Sequence, residues 1–378
     1  MTGGSAPLLA RAAVIAVAAI FGLTYSLTAP LIAIDLAQRG LGETAIGLNA
    51  AMHAVGVLLT APLLPHLVAR FGARRMVVGA LLLSAVVVSL FPAMPLVWLW
   101  FPLRLLLGCA AETLFVLSET WINHLSTDET RARAMATYTA ALSAGFAVGP
   151  FILSVAGTEG ARSYLIGSVL VLCAVPLVAT KRVAAPHFGE APKAGTSRYL
   201  LLAPVAIAAT VLNAAIETAG MSFLALYAMA AGWTEADAPR LITALMVGAI
   251  LLQLPIGWLG DRMDRRRLVT MLGVISAAGA LIWPLVLESA VLTYATLFIW
   301  GGAFVGIYTI MLTVVGSRFK GTDLVGIYAV MGIAWGVGAL LGPSLAGLMM
   351  GFSAHGLPIF AALACIAFCV FQVTRQSD

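Results

Sequence analysis

Charged residues are scarce in this chain of 378 residues: Asp, Glu, Lys and Arg together make up 10% of it, whereas hydrophobic residues make up 61%. A water-soluble protein of this length covers its surface largely with those four residue types. The composition therefore excludes a soluble fold. We expect the lipid bilayer to be the solvent of this chain.

Cysteine is also rare, and it does not cluster. The four cysteines lie inside apolar runs, at Cys109, Cys173, Cys365 and Cys369, which indicates neither a disulfide framework nor a metal site. The nucleotide-binding pattern G-x-x-x-x-G-K-[ST] does not occur, so the sequence excludes this route to ATP as an energy source. We predict no cofactor, no metal and no enzymatic activity.

Apolar runs of membrane-spanning length fill the chain. A helix needs about 20 residues to cross the hydrocarbon core, and twelve such runs are bounded by charges, Gly or Pro. They leave no room for a separate soluble domain. The predicted spans are 11–35, 45–68, 76–94, 97–121, 134–156, 163–180, 200–228, 240–259, 268–287, 291–315, 324–350 and 354–373.

The cations set the orientation of these spans, because Lys and Arg accumulate in short cytoplasmic loops. With both termini in the cytoplasm, only Arg39, Arg162 and Arg240 fall outside, and Arg104 lies within a span. The net charge of +5 is therefore explained by topology, and no nucleic-acid partner is expected. We predict a multi-pass protein of the plasma (inner) membrane with both termini cytoplasmic.

A polar segment divides the chain into two halves with six spans each. Residues 181–198 are rich in Pro, Ala, Gly and charge and follow the sixth span. We predict an N-terminal six-helix bundle over 1–180, a cytoplasmic central loop over 181–198 and a C-terminal six-helix bundle over 199–378.

The halves are an internal repeat. Landmarks in different segments recur at a nearly constant offset of 192 or 193 positions, which indicates a duplication. An even number of spans per repeat relates the halves by an axis along the membrane normal, as in transporters with a central site. The landmark pairs are Arg70 and Arg262, Gly108 and Gly301, Gly145 and Gly338, and Gly149-Pro150 and Gly342-Pro343.

A loop motif follows spans two and eight, and with the twelve spans and the polar central loop it resembles the major facilitator superfamily over essentially the whole chain. The superfamily motif is G-x-x-x-D-R-x-G-R-[KR]. The second copy departs at Asp264, where Gly is usual, and in the first copy Pro65 and Ala69 replace Gly and Asp. The matching residues are Arg70, Gly72 and Arg74 in the first copy and Gly257, Asp261, Arg262, Arg265 and Arg266 in the second.

The resemblance implies an all-α membrane protein with twelve transmembrane helices in two pseudo-symmetric six-helix bundles. It also implies a small-molecule substrate and a monomer in the lipid bilayer. Arg104-x-x-x-Gly108 in span four resembles a motif associated with proton coupling in drug and proton antiporters. Gly145-x-x-x-Gly149-Pro150 in span five resembles the antiporter motif, with Leu153 and Ser154 in place of its last two glycines.

The glycines and prolines of span five and its repeat are expected to shape the helices. Small residues let two helices approach closely in a membrane, and proline bends a helix. The predicted packing set comprises Gly145, Gly149, Pro150, Gly338, Gly342 and Pro343.

Polar residues within the spans mark candidate sites. A charge at the bilayer centre costs about 2.5 to 3.5 kcal/mol on insertion scales, so such residues usually face an interior and often line a functional path. Span four carries Arg104, Glu112 and Glu119 at spacings that share one helix face. The predicted set for proton coupling and the cavity is Arg104, Glu112, Glu217, Asp35, Asn213, His53 and Asn49.

The roles of these residues stay open at this point. Glu112 and Glu217 are either carriers of protons or substrate, or structural partners of a neighbouring helix. Arg104 either holds a carboxylate ionised, attracts an anionic substrate, or forms a permanent ion pair with span one. Asp35 either takes part in coupling or reaches the interface, and His53 is either titratable or a hydrogen-bonded interior residue.

Glu119 lies near the cytoplasmic end of span four, about 22 Å along the helix from Arg104. The superfamily often has an acid there that pairs with the arginines of the loop motif, here Arg70 or Arg74. Because Ala69 replaces the acid of the first copy, we expect the latch on the inner face to depend mainly on Glu119 and Asp261.

Aromatic residues could contact an amphiphilic substrate or could only pack the helices. The candidates are Tyr25, Trp300, Tyr308, Tyr328 and Trp335.

Three functions fit these observations. The first is proton-coupled export of a small amphiphilic organic molecule by alternating access, suggested by Arg104, Glu112, Glu217 and the glycine motif. The second is uptake or facilitated transport of a small polar or anionic metabolite, with Arg104 as its counter-charge. The third is a membrane sensor or scaffold that does not transport.

Overall fold

The structure is a computed structural model, and it describes residues 5–126, 128–180, 201–319 and 321–375. The central segment predicted at 181–198 lies outside these residues, as does Lys320. The described residues form helices, turns and short connections, and no strand occurs among them. The predicted all-α membrane fold is confirmed.

Fourteen α-helices make up the described architecture, and a single 3₁₀ turn at Val97–Leu99 precedes the fifth. Their bounds are α1 Ser5–Gln38, α2 Glu43–Thr60, α3 Leu64–Phe71, α4 Ala73–Leu90, α5 Trp100–His124, α6 Asp128–Ala156, α7 Arg162–Ala179, α8 Pro204–Ala230, α9 Ala238–Leu251, α10 Gln253–Arg262, α11 Arg265–Val286, α12 Ala290–Arg318, α13 Gly321–Phe352 and α14 Gly356–Thr374.

Eleven spans in the described part of the chain are long and apolar enough to cross a membrane, or twelve when α2 and α3 count as one. These two helices meet at a bend of 61°. Pro62 lies in the turn between them, and Pro65 lies in the first turn of α3, where its missing N–H costs no helical hydrogen bond. The run predicted at 45–68 is therefore two helices.

The second half has a break at the equivalent place. Helix α9 ends at Leu251 and α10 begins at Gln253, so the break falls at Leu252, 192 positions after Thr60, the last residue of α2. The two stretches together still form one candidate span, Ala238–Arg262.

The helices form two compact units. The first comprises Met1–Leu36 and Met52–Pro192, and the second comprises Ala37–Ala51 and Lys193–Asp378. In the first unit, α4 packs against α5 and α7, and fully buried side chains such as Leu81, Trp121 and Val171 fill the core. In the second unit, α13 packs on α8, and α12 packs on α9 and α11.

Glycines bring helices α2 and α5 of the first unit into close contact. A Cβ added to Gly108 would lie 2.8 Å from the carbonyl carbon of His53, and one added to Gly56 would lie 2.8 Å from the amide nitrogen of Cys109. Real Cβ atoms are essentially never found closer than 3.0 Å to such atoms. Only glycine allows this crossing, as at other close helix contacts in membranes.

The same crossing recurs in the second unit, between α9 and α12. A Cβ on Gly248 would lie 2.6 Å from the carbonyl carbon of Phe298, and one on Gly301 would lie 3.0 Å from that of Leu245. The glycines correspond to Gly56 and Gly108 at offsets of 192 and 193. The contacts of each unit therefore show the repeat that the sequence offsets indicate.

The glycines of the predicted packing set also lie at helix crossings. Helix α6 approaches α1, because a Cβ on Gly145 would lie 2.9 Å from the nitrogen of Leu23. In the second unit α13 approaches α8 in the same way, with a Cβ on Gly342 placed 2.6 Å from Cα of Ala215. The remaining members lie in the same two helices, Gly149 and Pro150 in α6 and Gly338 and Pro343 in α13.

Candidate functional site

Arg104 lies deep inside the first unit, on the first turns of α5. Its side chain is only 2% exposed, and its Nε and Nη1 atoms have no hydrogen-bond partner among the described residues. It lies close enough to the hydroxyl groups of Tyr25 and Tyr164 to interact with them electrostatically. The ion pair with span one, one of the roles left open for Arg104, is absent from the described part of the chain.

The α2–α5 crossing places His53 next to this arginine. His53 lies against Gly108, one helical turn after Arg104, and it interacts electrostatically with the guanidinium. Its side chain is 6% exposed, and its Nδ1 has no hydrogen-bond partner in the described residues. The rings of His53 and Tyr25 lie 4.9 Å apart.

A small pocket opens among these helices of the first unit. It has about 20 Å³ of open space, which is enough for one water molecule. Side chains of α1 and α5 supply the apolar part of its wall. The polar part comprises Thr24, Tyr25, Thr28, His53 and Ser84.

Asp35 and Tyr164 connect α1 to α7. The Tyr164 hydroxyl donates a hydrogen bond of 3.2 Å to Oδ2 of Asp35. Tyr164 is fully buried, stacks with Phe91 and meets Trp100 edge to face. Asp35 is therefore held by a rigid aromatic cluster, in the same unit as Arg104.

The two glutamates of span four lie on α5 at different depths. Glu112 is half-buried, and it has no ion pair or hydrogen bond within the described residues. Glu119 is also half-buried and lies next to Ser118, whose hydroxyl is 3.0 Å from that of Tyr138 on α6. Glu119 itself makes a further polar contact.

In the second unit, α8 carries the candidate carboxyl. The Asn213 side-chain amide donates a hydrogen bond of 3.1 Å to Oε2 of Glu217, as their spacing of four residues allows. No cation pairs with Glu217 among the residues that the structure describes. Asn49, which groups with this unit, is 1% exposed, and its Nδ2 has no partner in the same range.

The second copy of the loop motif connects helices at one end of the second unit. Nη1 of Arg265 donates to Oγ of Ser317 at 3.1 Å, and Arg262 lies 3.9 Å above the ring of Trp258. The carbonyl of Arg266 accepts a hydrogen bond from Gln372 at 2.9 Å. Gly257 is half-buried at the middle of α10, and Asp261 is exposed near its end.

The departure at Asp264 has a physical explanation. In the first copy the equivalent residue is Gly72, whose φ of 81° suits glycine and few other residues. Asp264 has a φ of −59° and caps α11, because its Oδ1 accepts a hydrogen bond of 2.9 Å from the backbone nitrogen of Arg267. The two copies thus start the next helix by different means.

The arginines of the first copy of the motif make few contacts with the described residues. Arg70 is exposed, and its guanidinium lies 5.3 Å from the ring of Phe71. Arg74 is half-buried and makes a polar contact.

The aromatic candidates occupy different environments. Trp300 is 2% exposed, packs edge to face on Trp283 at 4.5 Å, and donates a hydrogen bond of 2.8 Å to the carbonyl of Ser276. Tyr25 lines the pocket of the first unit. Tyr328 is 42% exposed, and Tyr308 and Trp335 are half-buried.

Sequence reasoning missed Tyr164 and Ser84, which the structure places beside the predicted residues. Ser84 has no polar neighbour at helical spacing, so periodicity gives no signal for it, whereas Tyr164 lies one helical turn before Ser168. It also missed Gln253 and Thr309 of the second unit, where Oγ1 of Thr309 donates to Oε1 of Gln253 at 2.7 Å. Gln253 lies at the α9–α10 break, which is the one available clue.

Comparison with known families decides what these helices are. The chain matches the model of the Major Facilitator Superfamily over residues 14–320 and 206–376. It belongs to the Major Facilitator Superfamily. The chain is therefore a multi-pass membrane protein and a secondary transporter of a small molecule, not an enzyme.

Relatives within the superfamily cover nearly the whole chain. The uncharacterized MFS-type transporter YfkF of Bacillus subtilis (strain 168) is 27% identical over 342 residues, which cover 88% of this chain and 86% of that protein. The uncharacterized MFS-type transporter Ent638_1421 of Enterobacter sp. (strain 638) is 24% identical over 341 residues, which cover 89% of this chain and 88% of that protein.

Solved structures of superfamily members share the fold. A bacterial homolog of the human lysosomal transporter Spinster, in an inward-facing and occupied conformation, has a TM-score of 0.78 at 14% identity and covers 96% of this chain and 94% of its own. A D-xylose-proton symporter has a TM-score of 0.74 at 13% identity, with 96% and 97% covered. The nucleoside transporter NupG has a TM-score of 0.73 at 13% identity, with 99% and 97% covered.

Proposed function

We propose that this superfamily member is a proton-coupled exporter of a small amphiphilic organic molecule, similar to the drug and proton antiporters. It would work as a monomer in the inner membrane, with both termini in the cytoplasm and with six-helix bundles over 1–180 and 199–378. The observation that carries the proposal is a carboxyl group, in a spanning helix of each unit, that has no counter-ion among the described residues.

Glu112 supplies this carboxyl in the first unit. It is half-buried in α5, and no cation lies within ion-pair distance in the described residues. An ionised carboxylate at membrane depth is costly when it has no partner. Binding a proton removes that cost, and release of the proton restores the charge, so the group is suited to carry protons.

Glu217 supplies the carboxyl in the second unit. Among the described residues its hydrogen-bond partner is the Asn213 amide. This neutral donor can remain bonded to the carboxyl in both protonation states. A positively charged partner would instead hold the group ionised. The pair therefore favours a proton carrier over a fixed structural ion pair.

Export is the direction that the glycine motif of α6 favours. Gly145 and Gly149 resemble the antiporter motif, and both lie at the α1–α6 crossing. Arg104 and Gly108 add the second antiporter-like motif on α5. Uptake of a polar or anionic metabolite is the alternative that the transport assay distinguishes.

The experiment uses proteoliposomes with an imposed pH gradient and two labelled probes, ethidium and hippurate, against protein-free liposomes. We expect Glu112→Gln and Glu217→Gln to abolish flux driven by the gradient. Glu159→Gln, which changes an exposed carboxyl in the α6–α7 connection, should leave the flux unchanged. Undiminished gradient-driven flux in both Glu112→Gln and Glu217→Gln would refute the mechanism, and probe movement in the same direction as protons would favour uptake.

A further inference from the structure

The buried arginine of the first unit has no counter-ion among the residues that the structure describes. Arg104 stays protonated in any protein environment, yet its side chain is 2% exposed and two of its nitrogens have no hydrogen-bond partner in the described part of the chain. Buried donors are almost always satisfied, and an exception commonly marks a bound water or ion. A buried charge without a partner costs still more.

No carboxylate of the neighbouring described helices supplies the missing charge. Glu112 lies eight residues further along α5, which is about 12 Å of helix rise. Asp35 of α1 accepts a hydrogen bond from Tyr164 and makes a further polar contact. Neither forms an ion pair with Arg104 in the described residues.

Polar side chains line the space beside this arginine. His53, 6% exposed, lines the pocket, and its Nδ1 has no partner among the described residues. The hydroxyl groups of Tyr25 and Ser84 belong to the same wall, as does that of Thr28, which already donates its proton to the carbonyl of Thr24 at 2.6 Å. The set contains neutral or positively charged groups and no acid, which is the chemistry of a site for an anion.

The chain direction places Arg104 at one end of this pocket. The ring centroids of Phe21 on α1 and Phe115 on α5 lie 5.5 Å apart. Seven residues before Phe115, Gly108 contacts His53, and the ring of His53 lies beside that of Tyr25 on α1. The two helices therefore run antiparallel, and the Thr28 end of the pocket is the end nearest Arg104. The space of about 20 Å³ admits one small group.

We propose that the first unit binds a monovalent anionic group between Arg104 and the polar wall formed by His53, Tyr25, Thr28 and Ser84. The guanidinium supplies the charge and a planar pair of donors that suits a carboxylate. The group is either the carboxylate of the transported molecule or a small inorganic anion. The first case rests on the proposed function, because it makes amphiphilic organic acids the substrate class.

The test is ligand binding to the purified full-length chain in detergent, in a Tris–sulfate buffer that contains no monovalent anion other than the one tested, without a proton gradient. Thermal unfolding is measured with hippurate, with its neutral amide and with chloride. We expect hippurate or chloride to raise Tm by a few degrees and the neutral amide to have no effect. A response to hippurate identifies the substrate's carboxylate as the ligand, and a response to chloride alone identifies an inorganic anion.

Variants decide whether the response arises at Arg104. Arg104→Gln should abolish it, and Arg104→Lys, which keeps the charge but loses the planar donors, should weaken binding about tenfold. Arg240→Gln removes an exposed arginine paired with Asp237 and should respond as the wild type does. If Arg104→Gln does not fold, Ser84→Ala gives the second readout, with weaker binding at unchanged stability.

An equal response in wild type, Arg104→Gln and Ser84→Ala, or no response to any anion, would overturn the inference. The binding assay involves no transport, so its outcome is independent of the proton-driven flux. A wild-type protein that shows proton-driven flux but no response to any anion refutes the site alone, and a wild-type protein that binds the anion but shows no proton-driven flux refutes the proposed function alone.

Discussion

The α2–α5 crossing makes a sharp prediction for Gly108→Ala. The added methyl carbon would lie 2.8 Å from the carbonyl carbon of His53. An ordinary contact begins at 3.4 Å, so the helices would have to separate by at least about 0.6 Å, and by more at the carbonyl oxygen. Such overpacking typically costs about 1–3 kcal/mol.

Alanine would otherwise stabilise the helix. Replacing glycine within a helix gains about 0.5–1 kcal/mol when nothing opposes the methyl group. The expected net effect of Gly108→Ala is therefore a loss of stability of up to about 2.5 kcal/mol. Gly79→Ala is the matched control, because it also lies in a spanning helix of the first unit and nothing lies within 4 Å of its added Cβ.

The repeat supplies an independent second pair. Gly301→Ala places its Cβ 3.0 Å from the carbonyl carbon of Leu245, whereas Gly220→Ala meets nothing within 4 Å. We expect Gly301→Ala to be destabilising and Gly220→Ala to be neutral or stabilising. In each unit, the variant at the crossing glycine should then be less stable than its control variant, because the two units share the same helix packing.

The assay is thermal unfolding of the four variants in one detergent, followed by tryptophan fluorescence and by loss of the monodisperse species. The sign of each change in melting temperature between a variant and its control matters more than the size of the change. A melting temperature of Gly108→Ala equal to or above that of Gly79→Ala would contradict the close crossing and with it the placement of His53 beside Arg104.

Three further predictions concern contacts outside the crossing. Asp264→Ala should lower stability by about 1 kcal/mol because it removes the cap of α11. Asp264→Asn should keep the wild-type stability, because Asn also caps helices. Equal melting temperatures of the two variants would contradict the cap. Tyr164→Phe should cost about 0.6 kcal/mol, the average for a hydrogen bond between membrane helices, and this loss should disappear when Asp35 is already Ala in a double-mutant cycle. Trp300→Phe should lower Tm through loss of its bond to Ser276, and an unchanged Tm would show that this bond contributes nothing.

The spans could be predicted because their signal is local. Length and apolarity alone define a membrane helix, and each predicted run contains helix in the described structure. The ends differ, because helices continue beyond the apolar core. For example, α6 begins at Asp128, six residues before the predicted span, and α12 ends at Arg318, three residues after it.

The site could be predicted only in part. Helical spacing places Arg104, Gly108 and Glu112 on one face, and it places Asn213 within reach of Glu217. It cannot show that Gly108 contacts His53, since that contact depends on how two helices cross. Helical spacing places Tyr164 and Ser168 on one face of α7, but it cannot show the bond from Tyr164 to Asp35, because that bond joins two helices.

The paired glycine crossings have a consequence for how this protein can diverge. Gly56 and Gly108 have counterparts in Gly248 and Gly301, but the residues equivalent to His53 and Arg104 are Leu245 and Leu297. Both copies have thus kept the crossing glycines, whereas at the positions of His53 and Arg104 only the first copy carries ionisable residues. The polar groups of either copy can therefore be replaced to suit a different substrate without changing the glycine crossings. A search for variants with altered specificity should begin at the positions where the two copies differ.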